Sequence, residues 1–145
     1  MTSVTTAGRT AKGIWKGYKD LVEAAQASVT VCSVEEARSR YGTPELIFVD
    51  VRDEAELWRD GRIPGSIHAS RGMLEFHIDP ESPYFLPGFG AEAEFVFVSA
   101  VGDRATLAAQ RAAEMGVGPV STLEGGFRAW EAAGGPVKDA VPTTV

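Results

Sequence analysis

The apolar positions of the chain fall into short runs that are separated by polar, glycine-containing stretches. Residues 46–51 and 95–98 are almost continuously apolar, which is typical of strands buried on both faces of a parallel sheet. Three shorter runs, at residues 29–32, 66–69 and 120–123, predict further strands. The pattern therefore predicts a sheet of five strands.

Helical spacing fills the intervals between these runs. Apolar side chains recur at three-to-four-residue intervals in a first stripe, which contains Ile14, Tyr18, Leu21, Val22 and Ala25. Further helices are predicted over residues 34–41, 53–60, 105–115 and 127–133. Because strands alternate with helices, we predict an α/β fold with a central, mostly parallel five-stranded sheet and helices on both faces.

The same pattern divides the chain into three segments. Residues 1–28 are expected to form an N-terminal arm and helix, residues 29–138 the α/β domain, and residues 139–145 a flexible tail. The first 13 residues are small and polar, and they are expected to be frayed. Residues 76–90 are irregular and rich in proline and aromatic side chains, so they could support a dimer or fold back over the domain.

Composition and charge narrow the range of partners. The 145 residues fit one domain, and the net charge of −6 argues against a nucleic-acid surface and against binding to an anionic membrane. The apolar runs fall far short of the roughly 20 residues that a membrane span needs. We expect a protein that is a monomer or a homodimer and binds neither nucleic acid nor membrane.

Cysteine and histidine usage limits the chemistry further. Cys32 is the single cysteine, so an internal disulfide is excluded and a cytoplasmic location is expected. One cysteine and two distant histidines cannot supply a tetrahedral zinc site. We expect no metal and no cofactor, and we interpret Cys32 as a small buried core residue.

The stretch from Ser99 to Arg104 is the main candidate site. It follows the run 95–98 and precedes a predicted helix, and its members are Ser99, Ala100, Val101, Gly102, Asp103 and Arg104. A glycine-containing loop between a strand and a helix aims backbone N–H groups at one point and can cradle an anion. Arg104 could add a fork of donors for an oxyanion, or it could form a surface salt bridge.

Other candidates follow neighbouring strands. Ligands of open α/β sheets bind beyond the carboxyl ends of the strands, and Asp50, Arg52 and Glu124 occupy such ends. Asp50 and Arg52 could line a pocket or form a buried charge pair, and Glu124 could line the pocket mouth or shape a tight turn. Arg71 is a further candidate for the lining. His68 is interpreted as a neutral group that bonds nearby backbone.

Four sequence stretches, taken together, resemble the rhodanese-like domain. They are Asp-Val-Arg-Asp-Glu-Ala-Glu-Leu at 50–57, Gly-Arg-Ile-Pro-Gly-Ser-Ile-His at 61–68, Leu-Glu-Gly-Gly-Phe-Arg-Ala-Trp at 123–130 and Gly-Gly-Pro-Val at 134–137. The resemblance covers residues 29–138 and the motifs keep the order of the family, which makes the signal specific. It implies a rhodanese fold.

The resemblance also implies sulfur transfer. In this family a thiolate at the first loop position takes sulfur from a donor such as thiosulfate, becomes a persulfide and passes the sulfur to cyanide, a thiol or a protein. Four residues separate Ser99 from Arg104, as in the sulfurtransferase loop, whereas related phosphatase and arsenate reductase loops are one residue longer. Ser99 departs from the family at the decisive position, because a hydroxyl cannot become a persulfide and no adjacent base is evident.

Two functions stay open on these residues. The chain could be a rhodanese-like protein that has lost sulfur transfer and binds a small, thiosulfate-like anion or a protein. Alternatively, it could be an active sulfurtransferase whose catalytic cysteine has been replaced by serine in this particular sequence. Val101, Asp103 and Ala105 also depart from the family, and one replacement would not explain them. A serine hydrolase is disfavoured, because the loop lacks the Gly-x-Ser-x-Gly elbow.

Overall fold

Five parallel strands form the centre of the protein, in a computed structural model that describes residues 13–141. The strands are β1 (Thr30–Cys32), β2 (Leu46–Asp50), β3 (Ile67–His68), β4 (Glu94–Val98) and β5 (Val120–Leu123). Their order in the sheet is β1-β5-β4-β2-β3, and every neighbouring pair is parallel. The predicted fold class is confirmed.

Six α-helices cover the two faces of the sheet. They are α1 (Tyr18–Gln26), α2 (Val34–Arg40), α3 (Glu54–Asp60), α4 (Leu74–Ile78), α5 (Asp103–Glu114) and α6 (Gly126–Ala132). Strand β4 divides the core, because Phe95 and Phe97 join the α4 and α5 side while Val96 and Val98 join the α2 and α6 side. This alternation explains why the run 95–98 is apolar at every position.

The N-terminal helix belongs to the packed layers. Helix α1 begins at Tyr18, after Gly17, whose N–H donates to the Asp20 carboxylate at 2.9 Å. Val22 and Ala25 are buried where α1 packs on α5, whereas other members of the predicted stripe are exposed. The expected frayed arm lies almost entirely outside the described residues, as does most of the expected tail.

The irregular segment folds back over the domain. A 3-10 helix at Arg71–Met73 and helix α4 lead into it, and it contains a second 3-10 helix at Pro87–Gly90. Phe89 is buried and stacks on Phe95 with a centroid separation of 5.8 Å. Phe76 and Tyr84 stay exposed. Between residues 13 and 141, no helix has the length and apolar character needed to cross a membrane.

The end of the domain is fixed by contacts near its C-terminus. The Trp130 indole Nε1 donates to the Pro136 carbonyl at 2.7 Å. Arg62 and Lys138 form an isolated antiparallel bridge with both backbone hydrogen bonds at 2.9 Å. These contacts attach the chain as far as Lys138 to the body of the domain.

Candidate functional site

The candidate loop lies at the carboxyl end of the central strand β4. The strand ends at Val98, residues 99–102 form the loop, and α5 begins at Asp103, two residues before the predicted start at Ala105. The Ser99 side chain is 1% exposed, so it lies at the base of the loop. Asp103 occupies the first turn of α5, where a carboxylate interacts favourably with the positive end of the helix dipole.

The loop directs its backbone donors at the Ser99 hydroxyl. Oγ accepts hydrogen bonds from the N–H groups of Gly102 and Ala105, each at 3.1 Å. Within residues 13–141, these are the hydrogen bonds made by Oγ, and neither partner is a base. An unactivated hydroxyl is a poor nucleophile at neutral pH.

Helix α6 forms two backbone hydrogen bonds with the loop. The N–H of Phe127 donates to the Ser99 carbonyl at 2.8 Å, and the N–H of Arg128 donates to the Ala100 carbonyl at 3.2 Å. This close approach requires glycine at position 126, because a Cβ there would lie 2.6 Å from the Ala100 oxygen. The carbonyls of Ser99 and Ala100 therefore face α6, whereas the N–H groups of Gly102 and Ala105 face Oγ.

Arg104 is held by a carboxylate from another helix. Its Nη1 and Nη2 donate to the two oxygens of Glu56 in α3, at 2.8 and 2.9 Å. The Arg104 hydrogen bonds lower the pKa of Glu56 to about 2, against the opposing effect of desolvation. Of the two roles considered for Arg104, the structure forms the salt bridge, and its donor fork already has an anionic partner.

This ion pair predicts a measurable pH dependence. A folded-state pKa below the unfolded value contributes stability above the unfolded pKa, and that stability is lost as pH falls from about 4.5 towards 2. We expect Glu56→Gln to lower the free energy of unfolding by about 1 kcal/mol at pH 7, because Arg104 is partly exposed. The difference from wild type should shrink as pH falls through that window in urea unfolding. An unchanged difference at pH 2 to 3 would contradict this origin, and Glu92→Gln is the exposed control.

Asp50 and Arg52 form a buried charge pair below the site. The Arg52 Nη2 donates to Asp50 at 2.7 Å and to the Gly61 carbonyl at 2.9 Å, and both side chains are 1% exposed. The Arg52 guanidinium also lies 4.1 Å from the centre of the Phe127 ring. As predicted, His68 bonds backbone, with Nε2 2.8 Å from the Arg52 carbonyl oxygen. Of the two roles considered for Asp50 and Arg52, the structure shows the buried charge pair, because both side chains are 1% exposed.

The other two lining candidates lie in different places. Arg71 pairs with Glu75 at 3.2 Å and lines a separate cavity with Leu107 and Arg111. That cavity lies against α5, and its lining includes no residue of the loop. Glu124 is exposed and lines the cleft next to the loop.

A cleft of about 220 Å³ opens beside the loop. It lies between the carboxyl ends of β1 and β5, the end of α1 and the loop, and its lining includes Val29, Val31, Val101, Asp103, Leu123 and Glu124. Val31 of β1 and Val29, which precedes that strand, were not predicted as site residues. Their place follows from the pairing of β1 with β5, which the hydrophobic pattern does not specify.

Cys32 lies away from this chemistry. It is buried in the core on the α2 and α6 side of the sheet. Burial, with a smaller effect of nearby Glu36 and Glu94, raises the pKa of its thiol to about 11. The reactive thiolate is therefore scarce at neutral pH. No group of three or more metal-ligating side chains occurs in the described part of the chain.

The parallel sheet, the loop after its central strand and the helix that follows define the class of protein. A family model described as the rhodanese-like domain matches residues 33–133. The chain belongs to this family, which confirms the resemblance seen in the sequence. Among curated proteins, none matches the chain.

Solved structures include sulfurtransferases and a close relative of unknown function. A Rhodopseudomonas palustris protein, described as a possible tyrosine phosphatase, is 44% identical with a TM-score of 0.84, covering 89% of this chain and 99% of its own. A homodimeric polysulfide-sulfur transferase from Wolinella succinogenes is 30% identical with a TM-score of 0.63, covering 85% and 88%. A Pseudomonas aeruginosa thiosulfate sulfurtransferase shares the fold at 21% identity and a TM-score of 0.64, covering 84% of this chain and 23% of its own.

Proposed function

We propose that this rhodanese-like domain forms no persulfide and acts as a binding module that docks a protein at its loop face. The observation that carries the proposal is the state of Ser99. Its hydroxyl is buried, accepts hydrogen bonds from two backbone N–H groups and contacts no base among the described residues. Oxygen at this position cannot take up a sulfane sulfur, whatever the quality of the surrounding cradle.

A protein partner is favoured over a small anion. The N–H groups of Gly102 and Ala105 already donate to Ser99, and Arg104 is already paired with Glu56. Carboxylates on the lining of the adjoining cleft add like-charge repulsion against thiosulfate. An incoming anion would have to displace internal partners and enter a negative region.

The alternative of an active enzyme with one replaced residue explains less of the loop. A cysteine at position 99 would still have the Asp103 carboxylate beside it and the exposed Val101 in the same loop. A phosphatase activity, suggested by the description of the Rhodopseudomonas relative, meets the same obstacles. It would place a phosphate, which is also an anion, against the same carboxylate and without an activated nucleophile.

Sulfur uptake is the direct test of the proposal. The wild-type protein and Ser99→Cys are incubated with thiosulfate, and intact mass spectrometry with peptide mapping follows, beside Cys32→Ser as the control for the other thiol. We expect no added sulfur on the wild type above the Cys32→Ser background. Ser99→Cys should gain one sulfur on the loop peptide, because two N–H donors stabilise a thiolate there. Thiocyanate formation from thiosulfate and cyanide by wild type, retained in Cys32→Ser, would refute the proposal.

The Asp103 carboxylate should limit any restored activity. We expect Ser99→Cys with Asp103→Gly to exceed Ser99→Cys alone by roughly fivefold in kcat/KM for thiosulfate. This corresponds to about 1 kcal/mol of repulsion between unit charges in a water-like environment. Steady-state thiocyanate assays measure the ratio, and Glu92→Gln in the Ser99→Cys background is the matched removal of a distant charge. Equal rates for the first two variants would show that the carboxylate points away from the donor.

A further inference from the structure

We infer that the cleft beside the loop binds a basic, amphipathic segment of a partner protein, with apolar side chains in the cleft and lysines or arginines on its rim. The inference rests on the proposed function and specifies the chemistry of its partner. Two properties of the cleft carry it, namely an exposed apolar lining and an excess of carboxylates. Each property comes from a different set of residues.

The apolar lining comes from three elements. Val31 on β1 and Val101 on the loop are 61% and 60% exposed, and the lining of the cleft also includes the buried Val29 and Leu123. The volume of about 220 Å³ is several times the share of one water molecule in the liquid, about 30 Å³. Covering these two valines would remove apolar surface from water, which favours association.

The carboxylates surround this apolar surface. Asp103 and Glu124 line the cleft, and a shallow depression on α1 shares Asp103 with it. That depression adds Asp20 and Glu23, whereas Lys19 is the one cation on the lining of either hollow. The combined lining therefore carries four acidic groups against one basic group.

The guanidinium at the end of the loop does not offset this charge. Arg104 is neutralised by its bidentate pair with Glu56, so it adds little positive potential at the cleft. A negative rim around an apolar centre complements a segment that alternates cationic and apolar side chains. It repels nucleic acid, acidic peptides and anionic membranes for the same electrostatic reason.

Model peptides test this specificity with the full chain. The probes are short synthetic peptides of alternating lysine and leucine, lysine and glycine, and glutamate and leucine. Amide chemical shifts of labelled protein locate the contact, and fluorescence anisotropy measures the affinity. We expect the lysine–leucine peptide to shift the amides of residues 29–31, 101–103 and 124–125. The lysine–glycine peptide should bind at least tenfold more weakly, and the glutamate–leucine peptide should not bind.

Charge variants separate a specific rim from general acidity. Asp103→Asn with Glu124→Gln should weaken lysine–leucine binding at least tenfold, and raising salt from about 0.05 to about 0.5 M should reduce this difference. Glu92→Gln with Glu131→Gln removes the same charge from exposed positions outside the cleft and should leave the affinity unchanged. Val31→Ser should weaken binding without changing its salt dependence.

Four outcomes would overturn the inference. Three of them are equal loss of affinity in both charge-variant pairs, chemical shifts centred away from the cleft, and equal binding of the glutamate–leucine peptide. Removal of residues 1–12, which contain Arg9 and Lys12 and no acidic residue, tests an internal competitor. A tenfold gain in affinity on removal would assign the cleft to that segment instead of a partner. Persulfide formation by wild type would refute the proposed function yet leave these peptide results unaffected, so the two failures are distinguishable.

Discussion

Asp50→Asn is expected to lower the free energy of unfolding by about 3–5 kcal/mol, the cost of leaving a buried cation without its counter-ion. Arg52 is 1% exposed, and its Nη2 donates to Asp50 at 2.7 Å. An amide could still accept one hydrogen bond, but it would leave the positive charge uncompensated inside the core. The Phe127 ring and the Gly61 carbonyl, its other partners, do not neutralise that charge.

Urea unfolding monitored by tryptophan fluorescence measures this loss. The control is Asp60→Asn, which removes an equivalent charge from the exposed pair with Arg59 and should leave the stability nearly unchanged. Replacing both buried partners, as in Asp50→Leu with Arg52→Met, should recover much of the loss, because no charge is then stranded. A shift of less than about 1 kcal/mol for Asp50→Asn would show that water reaches Arg52 in the folded protein.

Gly126→Ala is expected to destabilise the fold by about 3 kcal/mol and to loosen the candidate loop. Its φ of +69° costs a residue with a Cβ about 1–2 kcal/mol. The added methyl group would also collide with the carbonyl oxygens of Ser99 and Ala100. Relief of that collision would separate α6 from the loop and weaken two backbone hydrogen bonds, at about 1 kcal/mol each.

Gly134→Ala isolates the backbone contribution to this effect. Gly134 has a φ of +81°, yet a Cβ there would meet nothing within 4 Å. It should therefore lose only about 1–2 kcal/mol, the conformational part. Denaturant midpoints compare the two variants, and amide exchange at positions 99–102 reports on loop loosening. Equal losses for the two substitutions would contradict a steric role for position 126.

The hydrophobic pattern predicted the sheet well for physical reasons that are local. The runs at 46–51 and 95–98 are apolar on both faces because helices cover both, so their type can be read without knowing their neighbours. Helix α5 starts earlier than predicted, since the pattern marks apolar side chains and Asp103 contributes none. Sheet order is not local, and the sequence pattern therefore did not place β1 beside β5.

The candidate site was predictable only in part for the same reason. The loop from Ser99 to Arg104 is contiguous, so its residues and the missing thiol could be identified from the sequence. Glu56 was missed because it pairs with Arg104 across 48 positions of the chain. Its place in the first turn of α3 was the available signal, since that turn follows a neighbouring parallel strand.

The attachment of the C-terminal residues sets the extent of the cooperative unit. The family match ends at residue 133, but Val137 and Lys138 lie against Gly61, and the Gly61 carbonyl accepts from Arg52. Val137 and Lys138 therefore cover Gly61 and the buried Arg52 guanidinium that is bonded to it. A version of the protein cut at the end of the family match would lack these two residues, and solvent could then reach the guanidinium that they cover. Expression boundaries chosen for this domain should therefore include Lys138.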